Sequence, residues 1–338
     1  MSDQVFAAIP QTSAYQPPGW LRNPHFQSVL ASSAWRRRLI ASRRPGMQAT
    51  SRRLTLNCGD GVRLYAHASP RPGASAGRGL VILIHGWEGC HDSVYLFSMA
   101  SRLWDAGYSI VRLNLRDHGY SHHLNEEPFV STRLTDSVGA LRAIAQRLPG
   151  GENPFLMGFS MGGNVALRTA MAAVDDGLKL RGLLAVSPAI NPLATTRAID
   201  EGILLYRTYF KRKWVRSLRA KEAAFPGVHD LTDMREAPTL EQATERFAPR
   251  FTPYQDYRDY LSAYTLTGDA LAALRVPTHI LTAEDDPVIP IEDFEGLRLP
   301  SDVRLEVSEF GGHCGFIKSR ALDCHTDDVG LRFLNELD

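Results

Sequence analysis

A serine near the middle of the chain carries the pattern that most directly suggests chemistry. Gly158-Phe159-Ser160-Met161-Gly162 has the form G-x-S-x-G and separates an apolar run, PFLMGF, from an Ala-rich amphipathic run, GGNVALRTAMAAV. In a sharp strand-to-helix turn, small residues two positions before and after the serine prevent collisions, and the turn exposes the hydroxyl. Glycine and serine are also common at any such junction, so these five residues alone leave a nucleophile and a structural turn serine equally open.

A serine hydroxyl becomes a good nucleophile only when a neighbouring base accepts its proton and a third group orients that base. Candidates for both follow in the sequence. The apolar run THILTA precedes an acidic loop that contains Asp286, and VRLEVSEF precedes a glycine-rich loop that contains His313. The order serine, aspartate, histidine, each after a strand, is the order of α/β hydrolases. We therefore predict a catalytic triad of Ser160, Asp286 and His313.

Three adjacent acids compete for the middle role in this triad. Asp286 is favoured because Pro290 lies four residues after it, an interval that similar enzymes commonly show. Asp285 is the alternative. Glu284 is expected to be solvated or to stabilise the turn.

The tetrahedral intermediate of acyl transfer needs hydrogen-bond donors for its oxyanion. One candidate is the backbone N–H of Met161, at the positive end of the helix after Ser160. The other is the N–H of Trp87, directly after His85 and Gly86 in the loop that follows the apolar run VILI. The indole of Trp87 can also serve as cavity wall. His85 precedes the nucleophile strand and is interpreted as a buried loop anchor rather than a base.

The elements that must position these residues follow from the alternation of patterns. Two strand patterns flank Gly59-Asp60-Gly61 and predict a hairpin, after which apolar strand runs alternate with helical runs. This predicts a mostly parallel central sheet with helices on both faces. The alternation stops near Asn191 and resumes after 272, so we expect an α/β core at 52–190 and 273–338, interrupted by a helical cap insertion at 191–272.

Residues 1–51 form a third segment, a basic and aromatic arm. Eight arginines stand between Arg22 and Arg53, against the single acid Asp3, and Trp20 and Trp35 lie among them. We expect the arm to pack on the core through its aromatic residues. The basic residues indicate either a solvated face or, because aromatics alternate with arginines, a segment that contacts a membrane surface.

Composition limits the classes of partner. The net charge is +1 and 44% of the residues are apolar, so nothing global favours nucleic acid, and we expect no nucleic-acid partner. No apolar run approaches the roughly 20 residues of a membrane span, and the N-terminus does not resemble a secretory signal. We expect a cytoplasmic protein, peripheral to a membrane if the arm is interfacial. No feature of the sequence specifies an oligomeric state.

Four sparse cysteines without C-x-x-C spacing are expected to be reduced. Among them, Cys314 and Cys324 adjoin His313 and His325, but this spacing matches no common zinc motif. We predict no metal site and no cofactor.

With these residues in place, the sequence resembles the α/β-hydrolase superfamily over about 52–337. Within that superfamily it resembles the YheT-like hydrolases related to the mammalian abhydrolase-domain 1, 2 and 3 proteins. The subfamily motifs are PPGWLRNPHFQSVL, HGWEG, VRLNLRDHGYS, MGFSMGGN, TLEQATERF and VPTHILTAEDDPVIP. The resemblance implies ester hydrolysis by Ser160, Asp286 and His313, with the insertion as a cap over an acyl pocket. The sequence departs from relatives at Asp117, where they commonly carry glycine, and at Ala263-Tyr264, where they often show serine after a tyrosine pair.

We therefore predict a serine hydrolase of carboxylic esters, similar to carboxylesterases or acylglycerol lipases, with a small-molecule or lipid ester, such as a medium-chain acyl ester, as substrate. The same triad would also perform thioester hydrolysis or acyl transfer. A third reading is a small-molecule binding protein with little turnover, which would not require all three residues. A group of insertion residues suits a lid over an acyl chain and equally suits ordinary helix packing: Ile203, Leu204, Leu205, Tyr206, Tyr209, Phe210 and Trp214.

Overall fold

Strands and helices alternate through most of the chain. The computed structural model describes residues 5–72 and 78–338. The first segment contains β1 Val5–Ala7, β2 Gln11–Thr12, α1 Pro24–Ala31, α2 Ala34–Arg43 and α3 Gly46–Ala49. The alternating part contains β3 Arg52–Gly59, β4 Val62–Ser69, β5 Leu80–Ile84, α4 Val94–Asp105, β6 Ser109–Leu113, α5 Thr135–Arg147, β7 Phe155–Phe159, α6 Met161–Asp175 and β8 Gly182–Val186. Then come α7 Pro192–Glu201, α8 Leu204–Ala224, α9 Thr232–Glu236, α10 Leu240–Phe251, α11 Tyr257–Ser262, β9 Thr278–Ala283, β10 Arg298–Pro300, β11 Val303–Ser308 and α12 His325–Leu337.

The main sheet of the described residues has nine strands in the order β2-β11-β9-β8-β7-β5-β6-β4-β3. In this order, every adjacent pair of strands from β2 to β6 is parallel. Strand β4 is antiparallel to β6, and β3 is antiparallel to β4. The central strands are apolar and buried throughout, as expected when helices cover both faces of a sheet. Along β5, Ile82 and Ile84 pack into one core and Val81 and Leu83 into another on the opposite face. The predicted α/β-hydrolase fold is confirmed.

Residues 5–51 are more regular than the sequence indicated. Three short helices form there, and β2 joins the main sheet beside β11. Of the aromatic residues expected to pack this segment on the core, Tyr15 is buried against Phe316 and His325, whereas Trp20 and Trp35 are exposed and do not serve as anchors. The segment is also anchored by buried Leu21 and Met47 and by Arg36, which is fully buried. Burial of this guanidinium is tolerated because it donates to Ala31 O, Leu322 O, Ser98 Oγ and Cys324 Sγ.

Five helices, α7 to α11, lie between β8 and β9. They have a small apolar core of their own, which includes Leu218, Leu231, Phe247 and Tyr260. In the part of the chain that the structure describes, no helix combines the length and apolar character that a bilayer span requires. These helices lie along the edge of the sheet at which the parallel strands end, so they cover the loops that follow those strands.

Candidate active site

Ser160 occupies a sharp turn between β7 and α6. Its backbone is left-handed, with φ 55° and ψ −125°, a conformation that L-residues adopt only at a cost in free energy. The two flanking glycines leave no room for side chains. A Cβ on Gly158 would lie 2.1 Å from Gly162 O, and a Cβ on Gly162 would lie 2.3 Å from His85 O. The turn therefore requires both glycines of the G-x-S-x-G pattern.

Three side chains from different strand ends form one hydrogen-bonded chain. His313 Nε2 lies 3.0 Å from Ser160 Oγ, and His313 Nδ1 lies 2.9 Å from Asp286 Oδ2. Because an ionised carboxylate only accepts hydrogen bonds, Nδ1–H donates to Asp286 and Nε2 is left to accept the Ser160 hydroxyl proton. Asp286 is itself held by the N–H groups of Val288 and Ile289, both of which donate to its Oδ1.

The two neighbouring acids have different surroundings. Asp285 Oδ1 accepts a hydrogen bond from the N–H of Gly312, 2.8 Å away, in the loop that carries His313. Burial raises the pKa of Asp285 to about 6. Glu284 is exposed. Of the three acids, Asp286 is the one in contact with the imidazole, while Asp285 ties the acidic loop to the histidine loop.

Two backbone N–H groups beside Ser160 have no hydrogen-bond acceptor among the described residues. They belong to Trp87, in the loop after β5, and to Met161, the first residue of α6, and they are the two that the sequence nominated. The β5 loop approaches Ser160 closely, since a Cβ on Gly86 would lie 3.2 Å from Ser160 Cβ. Its position is held by the N–H of Gly86, which donates to the Tyr95 hydroxyl. Unpaired N–H groups at this place are available to an anionic oxygen.

Two histidines near this loop are engaged in anchoring it. His85 Nδ1 lies 2.8 Å from Gly86 O, and His85 Nε2 accepts the N–H of Leu115. His118 Nε2 likewise accepts the N–H of Glu88 at 3.1 Å. Burial lowers the pKa of both rings, that of His118 to about 4, so both stay neutral at pH 7. Neither ring has a nitrogen free to act as a base.

A cavity extends from Ser160 under the helices, with about 1060 Å³ of empty space, part of it open to solvent. Most of its wall is apolar or aromatic and comes from the sheet edge and from α7, α8, α10 and α11. Representative wall residues are Trp87, Ile199, Phe210, Trp214, Phe247 and Val288. The indole of Trp87 stacks on Phe210 at 5.9 Å between ring centroids. A cavity of this kind suits an acyl or aryl group next to the serine.

The insertion residues that the sequence nominated as a lid divide into three groups. Phe210 and Trp214 line the cavity. Tyr206 is buried against the first segment, with its hydroxyl 3.1 Å from His25 Nδ1. The remaining four are exposed and contribute nothing to the wall: Ile203, Leu204, Leu205 and Tyr209. For those four, neither alternative that the sequence left open holds, because their side chains are exposed around the N-terminal end of α8 and neither line the cavity nor are buried by helix packing.

Sequence reasoning overlooked a polar end of the cavity wall. Lys221 of α8 lies 2.6 Å from Asp117 Oδ1, and both side chains are buried. Lys221 also donates to the carbonyl oxygens of His122 and Asn125. Asp117 has φ 62°, a left-handed backbone that glycine adopts more readily than aspartate. The unusual aspartate was the available signal, but nothing in the sequence identified its partner.

Glu88 is the second overlooked residue. It lies next to Trp87, lines the cavity and has a left-handed backbone with φ 55°. Burial raises the pKa of this carboxyl to about 8, although Lys213 opposes the shift. The raised pKa favours the protonated form of Glu88, which can donate a hydrogen bond into the cavity. A half-buried acid with a strained backbone and a raised pKa in a cleft is typical of functional sites.

Comparison with known proteins agrees with this fold. The chain matches the model of the alpha/beta hydrolase family over residues 81–323. It therefore belongs to this family and is a hydrolase.

One curated relative is the Escherichia coli (strain K12) protein named "Putative esterase YheT". It is 26% identical over 273 residues, which cover 78% of each chain. The predicted resemblance to YheT-like α/β hydrolases is confirmed.

Solved structures of esterases share the fold. Est1E from Butyrivibrio proteoclasticus aligns with a TM-score of 0.52 and 17% identity, over 84% of this chain and 98% of its own. The Pyrococcus furiosus esterase Pf2001 aligns with a TM-score of 0.54 and 15% identity, over 85% of this chain and 90% of its own. At these identities the likeness concerns the fold.

Proposed function

We propose that this hydrolase cleaves carboxylic esters through an acyl-enzyme on Ser160, with residues 191–272 as a cap over the acyl pocket. The observation that carries the proposal is the hydrogen-bonded chain from Asp286 through His313 to Ser160. It supports nucleophilic catalysis because it supplies the base and fixes its tautomer. The substrate class is a small-molecule or lipid ester whose acyl group fits the largely apolar cavity.

The reaction follows from these contacts. His313 Nε2 accepts the hydroxyl proton as Ser160 Oγ attacks the ester carbonyl carbon. The oxyanion that forms accepts hydrogen bonds from the N–H groups of Trp87 and Met161. His313 then gives its proton to the alcohol oxygen, the C–O bond breaks, and the alcohol leaves. Water, deprotonated by His313, hydrolyses the acyl-enzyme and regenerates Ser160. Asp286 stabilises the imidazolium in both halves.

A panel of p-nitrophenyl esters from acetyl to palmitoyl tests the proposal. We expect turnover by the wild type and a loss of roughly 10⁴-fold or more in kcat for Ser160→Ala, because the nucleophile is removed. Ser187→Ala is the matched control, since Ser187 directly follows strand β8, is buried and has no hydrogen bond to His313 among those of the described residues. Turnover that persists in Ser160→Ala would show that Ser160 is not the nucleophile.

The same panel separates the alternatives. Turnover of thioesters at rates above those of matched esters would favour a thioesterase, and acyl products formed on added glycerol would favour a transferase. A wild type that turns over no ester and is not labelled by a fluorophosphonate probe would favour a binding protein.

A further inference from the structure

Exposed apolar side chains concentrate in two short stretches of the described residues. Thirteen large apolar side chains are exposed among all the described residues, and seven of these thirteen fall within residues 20–29 and 203–209. The seven are Trp20, Phe26, Val29, Ile203, Leu204, Leu205 and Tyr209. Scattered exposed apolar residues need no explanation, but a cluster indicates a surface that binds something.

The two stretches are neighbours in the fold. His25 of α1 lies 3.1 Å from the hydroxyl of Tyr206 at the start of α8. Trp20 and Phe26 contact each other edge to face, with 6.1 Å between ring centroids. Phe26 and Val29 are three positions apart on α1 and so share one side of that helix. The two stretches that carry the seven side chains therefore lie next to each other in the fold.

Positive charge surrounds this region. Residues 203–221 contain seven lysines and arginines and no acid, and residues 5–59 contain no acid at all. The outer side of α8 runs from Leu205 and Tyr209 to three exposed arginines at the same helical spacing, Arg212, Arg216 and Arg219. Among the described residues none of these three arginines forms an ion pair. We call the seven apolar residues and these three arginines the apolar-basic face.

The arginine run in the first segment contributes less charge than its sequence indicated. Arg36 is buried, Arg37 pairs with Asp92 at 2.6 Å, and Arg44 pairs with Asp105 at 2.9 Å. Cationic attraction at this side of the molecule therefore comes from α8 as well as from arginines of the arm that stay exposed, such as Arg22 and Arg38.

The apolar-basic face adjoins the active site through its own elements. Ser28 of α1 accepts a hydrogen bond from the N–H of His313 at 2.8 Å. On α8, the residue after Tyr209 is Phe210, which lines the cavity and stacks on Trp87. A surface bound to this face would thus lie next to the loop that carries His313 and next to the part of α8 that lines the cavity.

We propose that the apolar-basic face docks this hydrolase on the surface of a membrane that contains anionic lipid. The leucine, tryptophan and phenylalanine side chains enter the boundary between headgroups and acyl chains, and the arginines contact phosphate groups. Charge complementarity selects this occupant. A second copy would bring like charges together, and a nucleic acid would leave the leucines without a partner.

Vesicle co-sedimentation of full-length Ser160→Ala tests the proposal independently of catalysis. We expect binding to vesicles of mixed phosphatidylglycerol and phosphatidylcholine, and little binding to phosphatidylcholine alone. Adding Leu205→Ser or Arg216→Glu should each weaken binding about tenfold or more, because each removes buried apolar area or an attractive charge. Added salt should weaken the binding of the Ser160→Ala parent, in which this face is unchanged, to the anionic vesicles.

Matched controls are Val174→Ser, a similarly exposed apolar residue on α6, and Lys179→Glu, at an exposed cation outside this face that forms no ion pair among the described residues. Both should bind like the parent. With Ser160 restored, Leu205→Ser and Arg216→Glu should keep turnover of short soluble esters, since neither residue lines the cavity; Trp20→Ser replaces any variant that fails to fold. Equal binding to both vesicle types, or equal loss in the controls, would overturn the proposal. So would a dimer in light scattering that Leu205→Ser abolishes.

Discussion

The carboxyl edge of the sheet and the helical segment above it are stabilised in different ways. At the edge, backbone meets backbone: a Cβ on Gly158 or Gly162 would lie within 2.3 Å of a carbonyl oxygen, and Ser160 has a left-handed backbone. Above it, α8 is joined to the edge by side chains, such as Lys221 with Asp117 and Lys213 with Glu88 O.

This difference separates two tasks. Backbone crowding leaves the edge one arrangement, which suits chemistry that depends on fixed distances. Side-chain contacts can be exchanged without altering the sheet, which suits selection among substrates. Substitutions at the edge should therefore change the rate for every ester, and substitutions in the helices should change stability or the preference among esters.

The largest effect is expected from substitution of Asp286, the acid at the carboxyl edge of the sheet that contacts His313. Asp286→Asn removes the carboxylate that holds His313 Nδ1–H and should lower kcat/KM by roughly 10³–10⁴-fold for all esters. Asp285→Asn keeps the contact between His313 and Asp286 and should cost less than about tenfold. Steady-state kinetics on one short ester measures both. A greater loss in Asp285→Asn would move the catalytic role to that residue.

Next in size is the ion pair that joins α8 to the edge. Lys221→Met leaves Asp117 buried without its cation and should lower the free energy of unfolding by about 3–5 kcal/mol. Arg219→Met, at an exposed position two residues earlier, should change it by less than about 0.5 kcal/mol. Urea titration followed by circular dichroism measures both values.

Adding Asp117→Asn to Lys221→Met should recover part of the lost stability, since the unpaired charge is removed. Equal stabilities for the Lys221 and Arg219 variants would mean that the pair does not hold α8 in place.

A smaller effect, dependent on pH, is expected from Glu88. Its pKa rises from 4.5 to about 8 on folding, so the folded protein retains a proton that the unfolded chain loses. The stability that this carboxyl contributes is present in full below pH 4.5 and is lost as the pH rises through about 8. Within that window the free energy of unfolding of wild type relative to Glu88→Gln should fall by up to about 1.4 kcal/mol per pH unit.

Urea titrations of both proteins at several pH values measure this difference. A difference that is independent of pH would show that Glu88 ionises equally in the folded and unfolded protein.

The smallest effect concerns preference among esters. Phe210→Ala removes a ring from the cavity wall beside Trp87 and should raise the ratio of kcat/KM for long over short acyl esters about tenfold. Val215→Ala, on the same helix but outside the wall, should leave the ratio unchanged. The panel of p-nitrophenyl esters measures this ratio. Equal ratios in the two variants would show that the α8 side of the cavity wall does not determine the preference for acyl length.

Predictions from sequence succeeded where the requirement is local. Gly158, Ser160 and Gly162 identify a strand-to-helix turn because its geometry restricts the residues that fit within five positions. Strand-to-helix alternation similarly predicted the parallel sheet, whose strands end at one edge and so bring Asp286 and His313 towards Ser160. The catalytic roles of these residues remain the proposal made above.

Predictions failed where burial decides. Leu204 and Leu205 have the composition of a lid but are exposed, and Arg36 has the composition of a surface residue but is fully buried. Trp35 resembles an anchor and is exposed. Hydrophobicity gives only an average tendency, whereas the neighbours that cover a given side chain come from distant parts of the chain.

The sequence by itself thus determined the family, the alternation that builds the sheet, and the short motifs that follow the strands, because these depend on residues adjacent in the chain. Tertiary structure alone decided that Asp286 rather than Asp285 meets the imidazole. It also decided that Lys221 pairs with Asp117 and that desolvation raises the pKa of Glu88. Each of these depends on distance and desolvation, which arise only when segments far apart in sequence pack together.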